Sequence, residues 1–434
     1  MPHFPKSSET KDIATIVIIG YVWPEPNSSA AGSRMMQLLH YFNQRSHRVI
    51  FASPAQLSEH REILADSDIE EQSINLNCSS FDHWIAKLQP QIVLFDRFMM
   101  EEQFGWRGEQ QCPDCIRILD TEDLHSLREV RQLQLKQALK NDLETNLQYN
   151  HCQSLYRQMS KLDICQRELA AIFRCDLSLM ISVFEMQLLT EYFNVPPQLL
   201  LHLPFMLEQL SRPATSFANR QHFVTIGNFR HAPNWDSTLW LKQSIWPKIR
   251  QLMPDAQLHI YGAYPAKKVT DLNNPKQGFH IRGWAENAID VLSSARICLS
   301  PLRFGAGIKG KLTDAMLAGT PSITTALGAE AMSDNYPWPG QIENSADSIA
   351  SAAVELYKSP LQWQQAADNG AIIIHNCYNK QQLSQRLASA IETLLANLDT
   401  HRSNNFVGQM LRHHQHKSTK YMAQWIEAKN KKFD

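Results

Sequence analysis

The chain has 434 residues, 43% of them apolar, and a formal charge of −1. That length exceeds one ordinary core and points to two or three domains, while the balanced charge excludes a general field for nucleic acid. Apolar runs fall far short of the ~18 residues of a membrane-spanning helix.

Residues 1–6 carry no apolar signal core and read as a short disordered tail of a cytoplasmic protein. Residues 13–20 form an apolar strand, and the loop at 21–29 ends on helix caps. The next helix turns Met35, Leu38, Leu39 and Phe42 inward. Strands are predicted at 49–51, 73–76, 91–95 and 116–119. Residues 124–159 read as a long polar helical insertion on the outside of a parallel sheet. A helix at 164–173 and strands at 177–181 and 199–203 complete this half.

Residues 204–220 break the pattern, with Ser211, Arg212, Pro213 and Ala214 reading as linker. Strands then resume at 223–226, 257–261, 279–281, 297–299 and 322–324, the first three ending at Gly227, Gly262 and Gly283. A helix at 236–252 turns Trp240, Leu241, Ile245 and Ile249 inward. Helix dominates 346–398. One more helix is expected over 404–434, with Met410, Leu411, Tyr421, Met422, Trp425 and Ile426 available for packing. Its lysines, among them Lys417, Lys420, Lys429 and Lys431, read as a solvated face, with peripheral contact to anionic lipid as the second reading. The order argues two doubly wound α/β halves whose ligands bind in the cleft beyond the strands' carboxyl ends.

Eight cysteines are scattered along the chain, which argues against a disulfide framework. Cys112 and Cys115 have a tempting spacing, but no second pair exists to complete a zinc site. They read as ordinary thiols.

The densest motif runs from Pro301 to Gly319. A short apolar strand leads into Gly305, Gly307 and Gly310, and a helix follows with Ile308, Leu312, Ala315 and Met316 on one face. Gly319 and Pro321 end it. Lys309 and Lys311 fall in the first turn with no acid beside them, where a cation opposes the helix dipole by about 0.3–1 kcal/mol. An anionic ligand reverses that sign, so the stretch reads as a phosphate site; the bland alternative is a turn with two solvated lysines.

These residues carry a resemblance. Val224 to Phe229 with Pro233 and Asn234, Ile245 to Arg250 with Pro254 to Leu258, and Ser300 to Pro321 resemble the nucleotide-binding half of GT-B glycosyltransferases. Within them the likeness is to the retaining, family-4-like enzymes, glycosyl transferases group 1. Arg174 to Ser182, Glu185 and Leu203 to Phe205 are similar, more loosely, to the last elements before the family's linker.

The resemblance implies a Rossmann-like acceptor domain over 12–206, with the insertion near 124–160. It implies a nucleotide-sugar domain over 221–400 and a C-terminal helix, 401–434, packing back on the first domain. It implies sugar transfer from a nucleotide-sugar with retention, to a glycan, lipid-linked glycan or protein, with no cofactor and no metal. Lys309 and Lys311, with Gly305, Gly307 and Gly310, hold the diphosphate, whose charge grows in the transition state. Asp314 takes the place of a glutamate on the ribose, one carbon shorter. The family's other glutamate falls at Ala306, so that carboxylate is absent. Gly227 and Asn228 line the donor site, and Arg230 is the nearest replacement for the family's arginine. Glu330 contacts the sugar or is a solvated loop acid. Gly32 binds the diphosphate from the first domain or merely belongs to a helix cap. Asp96, Arg97, Asp120, Glu122 and His125 recognise the acceptor, His125 nearest the chemistry. Two rivals stand beside this reading. Gly305, Gly307 and Gly310 also match a dinucleotide fingerprint, and the missing carboxylate suits a scaffold that no longer transfers sugar.

Overall fold

The computed structural model describes residues 14–140, 151–209, 215–413 and 418–430. The tail at 1–6, the middle of the 124–159 stretch, the linker residues 211–214, and Lys417 and Lys431 lie outside these residues.

Two parallel sheets form. The first contains β1 (Thr15–Ile19), β2 (Arg48–Ser53), β3 (Glu70–Ser73), β4 (Ile92–Asp96), β5 (Ile116–Glu122), β6 (Leu177–Met180) and β7 (Leu200–His202), in the order β3-β2-β1-β4-β5-β6-β7. The second contains β8 (Gln221–Ile226), β9 (Leu258–Tyr261), β10 (Phe279–Gly283), β11 (Ala295–Ser300), β12 (Ser322–Thr324) and β13 (Gly340–Ile342), in the order β10-β9-β8-β11-β12-β13. Each order reverses beside its first strand, between β1 and β4 and between β8 and β11. Those switch points are where open α/β sheets leave a crevice.

The strands read as continuous apolar runs because both faces are covered. In β1, Ile16 and Ile18 enter one core while Val17 and Ile19 enter another. The first of these cores also takes Leu383, Leu387, Ile391 and Leu394 of helix Lys380–Ser403. The chain therefore returns to the first domain well before residue 401. Arg402 pins that return, donating to Asp176 at 2.8 Å and to the carbonyls of Pro113 and Cys115 at 2.6 Å.

Three expectations shift. The third strand lies at Glu70–Ser73, ahead of the apolar Ile74. The helix expected at 236–252 is interrupted by a wide turn at Leu241–Ile245, immediately before Trp246 and Pro247; proline has no N–H to continue the ladder. The C-terminal helix is two helices, Phe406–Arg412 and Ser418–Asn430, and Met410, Tyr421, Met422 and Trp425 are exposed on them rather than packed. The eight cysteines are free thiols. Cys112 and Cys115 are buried, and burial pushes the Cys115 thiol up to about 12, far from redox reactivity. Among the described residues, no helix is long and apolar enough to cross a membrane.

Candidate functional site

The second domain's part of the cleft begins where β8 ends. A Cβ on Gly227 would lie 2.7 Å from the Asn234 side chain and 2.8 Å from Lys311 Nζ, so only glycine lets the lysine reach across this turn. Lys311 donates to Asn234 Oδ1 at 2.7 Å, and Asn234 Nδ2 donates to the Asn228 carbonyl at 2.8 Å. The Asn228 side chain accepts from Arg230 N, and the Arg230 guanidinium lies 3.5 Å over the Tyr264 ring. The partner of Lys311 is thus a neutral amide. Burial, uncompensated, lowers its ammonium to about 8. It stands in the first turn of helix Gly310–Leu317, which holds no acid there. Asp314 follows three residues on, and burial raises its carboxyl to about 7.

The glycine loop before that helix is wrapped by the first domain. Gly305 (φ 155°) and Gly307 (φ 63°) adopt backbone that side chains rarely tolerate. Gly307 N donates to Glu185 Oε1 at 2.8 Å, and a Cβ there would strike Ile181 and Asp123. Ala306 packs into the first domain's core. Arg131, wholly buried, donates to the Gly305 carbonyl at 3.0 Å and to both Glu330 oxygens at 2.8 and 2.7 Å. Lys309 folds back onto the Gly307 carbonyl at 2.6 Å, and burial lowers its ammonium to about 8. Glu185 also accepts from Leu124 N at 3.2 Å, so one carboxylate joins the β5 loop to the glycine loop. Burial and then Asp123 push that carboxyl up to about 8.

The first domain's part is built from the ends of β4 and β5. Arg97 (φ 68°) and Glu122 (φ 55°) both sit in left-handed backbone. Strain of about 1–3 kcal/mol at each is typical of functional strand ends. Glu122 is buried, and burial with Asp120 pushes its carboxyl up to about 8. Burial works to raise the Asp123 carboxyl, but Arg128, His125 and the second domain's His231 hold it below the usual range. His125 lies 3.9 Å from Asp123 and edge-on to Phe98, and burial lowers its imidazole to about 4. It is a neutral ring at pH 7, able to accept a hydrogen bond. On the far side the domains touch again: Tyr264 donates to Glu25 at 2.8 Å, and Trp284 donates to the Asn27 carbonyl while stacking on His60.

Residues 220–359 match the family model for glycosyl transferases group 1. That match lies within the second domain. The whole chain shares its fold with HepE of Anabaena, solved with UDP and glucose, at 10% identity and a TM-score of 0.63, covering 88% of this chain and 100% of that one. Sucrose-phosphate synthase of Thermosynechococcus elongatus aligns at 15% identity and a TM-score of 0.61, covering 88% and 99%. A glycosyltransferase of Rickettsia africae aligns at 12% and 0.62, covering 89% and 100%. The architecture is therefore GT-B, two parallel-sheet domains facing a cleft. No curated protein matches the sequence.

Against this frame the expected residues divide. Lys311, Gly227, Asn228 and Arg230 are joined by contacts at the end of β8, and Asp314 lies one turn on from Lys311 in the same helix. Gly305, Gly307 and Lys309 do not present themselves to it, because Arg131, Glu185 and the Gly307 carbonyl already hold their polar groups. Gly310 meets Ala30 of the first domain, 2.5 Å from where its Cβ would be. Glu330, expected on the sugar or in solvent, is instead the buried partner of Arg131. Asp120 is corrected too: it is fully buried, and Arg34 takes its carboxylate at 2.8–2.9 Å while also donating to the Leu203 and Pro204 carbonyls. Gly32 belongs to a cap, its N–H going to Ser29 Oγ at 3.0 Å and its missing Cβ making room for the Glu25 carbonyl. Asp96 is buried and accepts from Tyr21 N, with Arg97 3.6 Å away. That leaves Arg97, Glu122 and His125, with Asp123, at the strand ends. The dinucleotide fingerprint follows β11, the fourth strand of its domain by sequence, and its middle glycine is bound to Glu185. Two cavities, of about 380 and 300 Å³, lie elsewhere, one lined by His222 and His259, the other by Trp106 and Arg412. Among the described residues, no group of three or more His, Cys, Asp or Glu side chains suits a metal ion.

Arg131, Tyr264, Trp284 and His231 were not legible as site residues. Nothing in a single sequence marks them, since their partners lie in the other domain. Glu185 was legible only as part of the loose resemblance over Arg174 to Phe205, with no role attached to it.

Proposed function

We propose that the protein transfers a sugar from a nucleotide-sugar to an acceptor held by the first domain, with retention and without a metal. The observation that carries the reading is Lys311, a half-buried ammonium whose partner is a neutral amide, in the first turn of a helix at the GT-B cleft. A departing diphosphate supplies the charge this lysine lacks, and the helix N-terminus adds to its stabilisation. Arg230 flanks the same charge, and Asp314 takes the ribose hydroxyls. Arg97, Glu122, Asp123 and His125 face the acceptor. HepE structures hold UDP and UDP-glucose, so UDP-sugars are the first donors to try. The reading keeps the protein in the cytoplasm.

The test is a panel of nucleotide-sugars scored for binding and for slow hydrolysis. Binding and hydrolysis of one donor, lost in Lys311→Ala, are the expected result. A second reading, a GT-B scaffold without transferase activity, draws on Ala306, which removes the usual carboxylate and seals the loop into the first domain. Binding of no donor at all favours that reading, and binding of a nicotinamide cofactor instead returns the dinucleotide enzyme.

A further inference from the structure

Helix Ser418–Asn430 has one side fixed. Ala423 is 2% exposed, and Glu427, one turn on, accepts from Ser79 Oγ at 2.6 Å, so this edge faces the first domain. Tyr421, Met422, Trp425 and Lys429 fall together on another side, at helical spacings of three and four. Tyr421, Met422 and Trp425 are 50%, 57% and 58% exposed. Lys429 Nζ lies 5.3 Å from the Trp425 ring, whereas Lys420 Nζ lies 5.8 Å from the rings of both Tyr421 and the first domain's Trp106 and belongs to the fixed edge. The preceding helix, Phe406–Arg412, repeats the arrangement with Phe406, Val407 and Met410 exposed. Between residues 404 and 434 the sequence has six lysines and arginines against two acids.

An exposed concentration of large apolar side chains marks a surface that something covers. Aromatic rings interleaved with lysines fit the boundary of an anionic bilayer. There the rings sit at headgroup level and the ammoniums reach lipid phosphates over their apolar stems. A second copy of the chain is a poor occupant, because face-to-face pairing would set one basic segment against another. We propose that the stripe Tyr421, Met422, Trp425 and Lys429 docks the protein peripherally on an anionic lipid surface. This rests on the C-terminal helices alone and is independent of the catalytic reading. The apolar area is small, so binding is reversible and depends on charge, each lysine contributing about fivefold in partitioning.

The experiment is flotation of the full chain with vesicles of phosphatidylcholine, alone or with about 30% phosphatidylglycerol. The protein should rise with the anionic vesicles and not with the neutral ones, and raising the salt towards about 1 M should release it. Tyr421→Ser with Trp425→Ser should cut the bound fraction at least about tenfold, and Lys429→Ser about fivefold, each with an unchanged unfolding temperature. Failure to float with anionic vesicles overturns the proposal, as does binding that the folded aromatic variant leaves intact. A dimer in sedimentation equilibrium that the aromatic variant abolishes, without lipid binding, assigns the face to a second copy instead.

Discussion

Replacing Arg131 with methionine asks how far the donor loop depends on the facing domain. The guanidinium is wholly buried, Glu330 is 6% exposed, and their bidentate pair also serves the Gly305 carbonyl. Removing one partner of such a pair costs up to about 3–5 kcal/mol, here reduced by Lys309, whose ammonium also feels the Glu330 charge. The cost falls on the closed arrangement, because separating the domains lets water reach Glu330. At 1.4 kcal/mol per decade, opening of the loop should become about 10²–10³-fold more frequent. Amide hydrogen exchange over a peptide spanning residues 304–312 reads this directly and needs no substrate. Placing methionine at both 131 and 330 should recover most of the protection, since no buried charge is then left unpaired. Exchange within threefold of wild type in Arg131→Met would refute the reasoning, whatever the enzyme's activity (a threefold change is about 0.6 kcal/mol, below any buried-pair cost).

Lys311→Ala should lower turnover about a hundredfold or more with the donor identified by the panel, as for the loss of one transition-state donor; unchanged turnover in the folded variant removes Lys311 from the site. Since the Lys311 ammonium titrates at about 8 in the folded chain, nucleoside-diphosphate affinity measured by calorimetry should fall as pH rises through 8, and a flat profile would count against it. Asp314→Asn should weaken nucleotide binding more than turnover, and the opposite split would move the ribose elsewhere. Glu122 has its carboxyl raised from 4.5 to about 8, so between those values the folded chain binds more protons than the unfolded one and stability falls as pH rises. Urea unfolding of Glu122→Gln should show a shallower decline over that window, and an identical slope would place Glu122 in water.

The fold was largely readable because parallel strands covered on both faces are short apolar runs, and the glycines after β8, β9 and β10 mark their ends. Where the reading slipped, tertiary packing had overruled a local signal. Residues 73–76 looked like a strand for their isoleucine and leucine, but β3 is a polar edge at 70–73. The C-terminal apolar residues had the spacing of a packed helix, yet Met410, Tyr421, Met422 and Trp425 face outward. In the candidate site, Lys311 was legible because a cation in a first turn needs only local knowledge, whereas Asp314 was singled out through the family resemblance alone. Glu330 and Asp120 were not, since a carboxylate's partner can lie 199 or 86 residues away, as Arg131 and Arg34 do. An acid at the end of a strand reads the same whether it meets a ligand or a buried arginine.

The bond between Glu185 and Gly307 bears on how this chain can be divided. The glycine loop is lined by Asp123, Arg131, Ile181 and Glu185, all numbered more than a hundred positions earlier. A hybrid that joins this second domain to another GT-B first domain would carry the glycines but leave their partners behind. Such a graft would need Asp123, Leu124, Arg131, Ile181 and Glu185 to travel with it. The seam between the domains is therefore the unit to move in any redesign, since neither domain carries the glycine loop together with its partners.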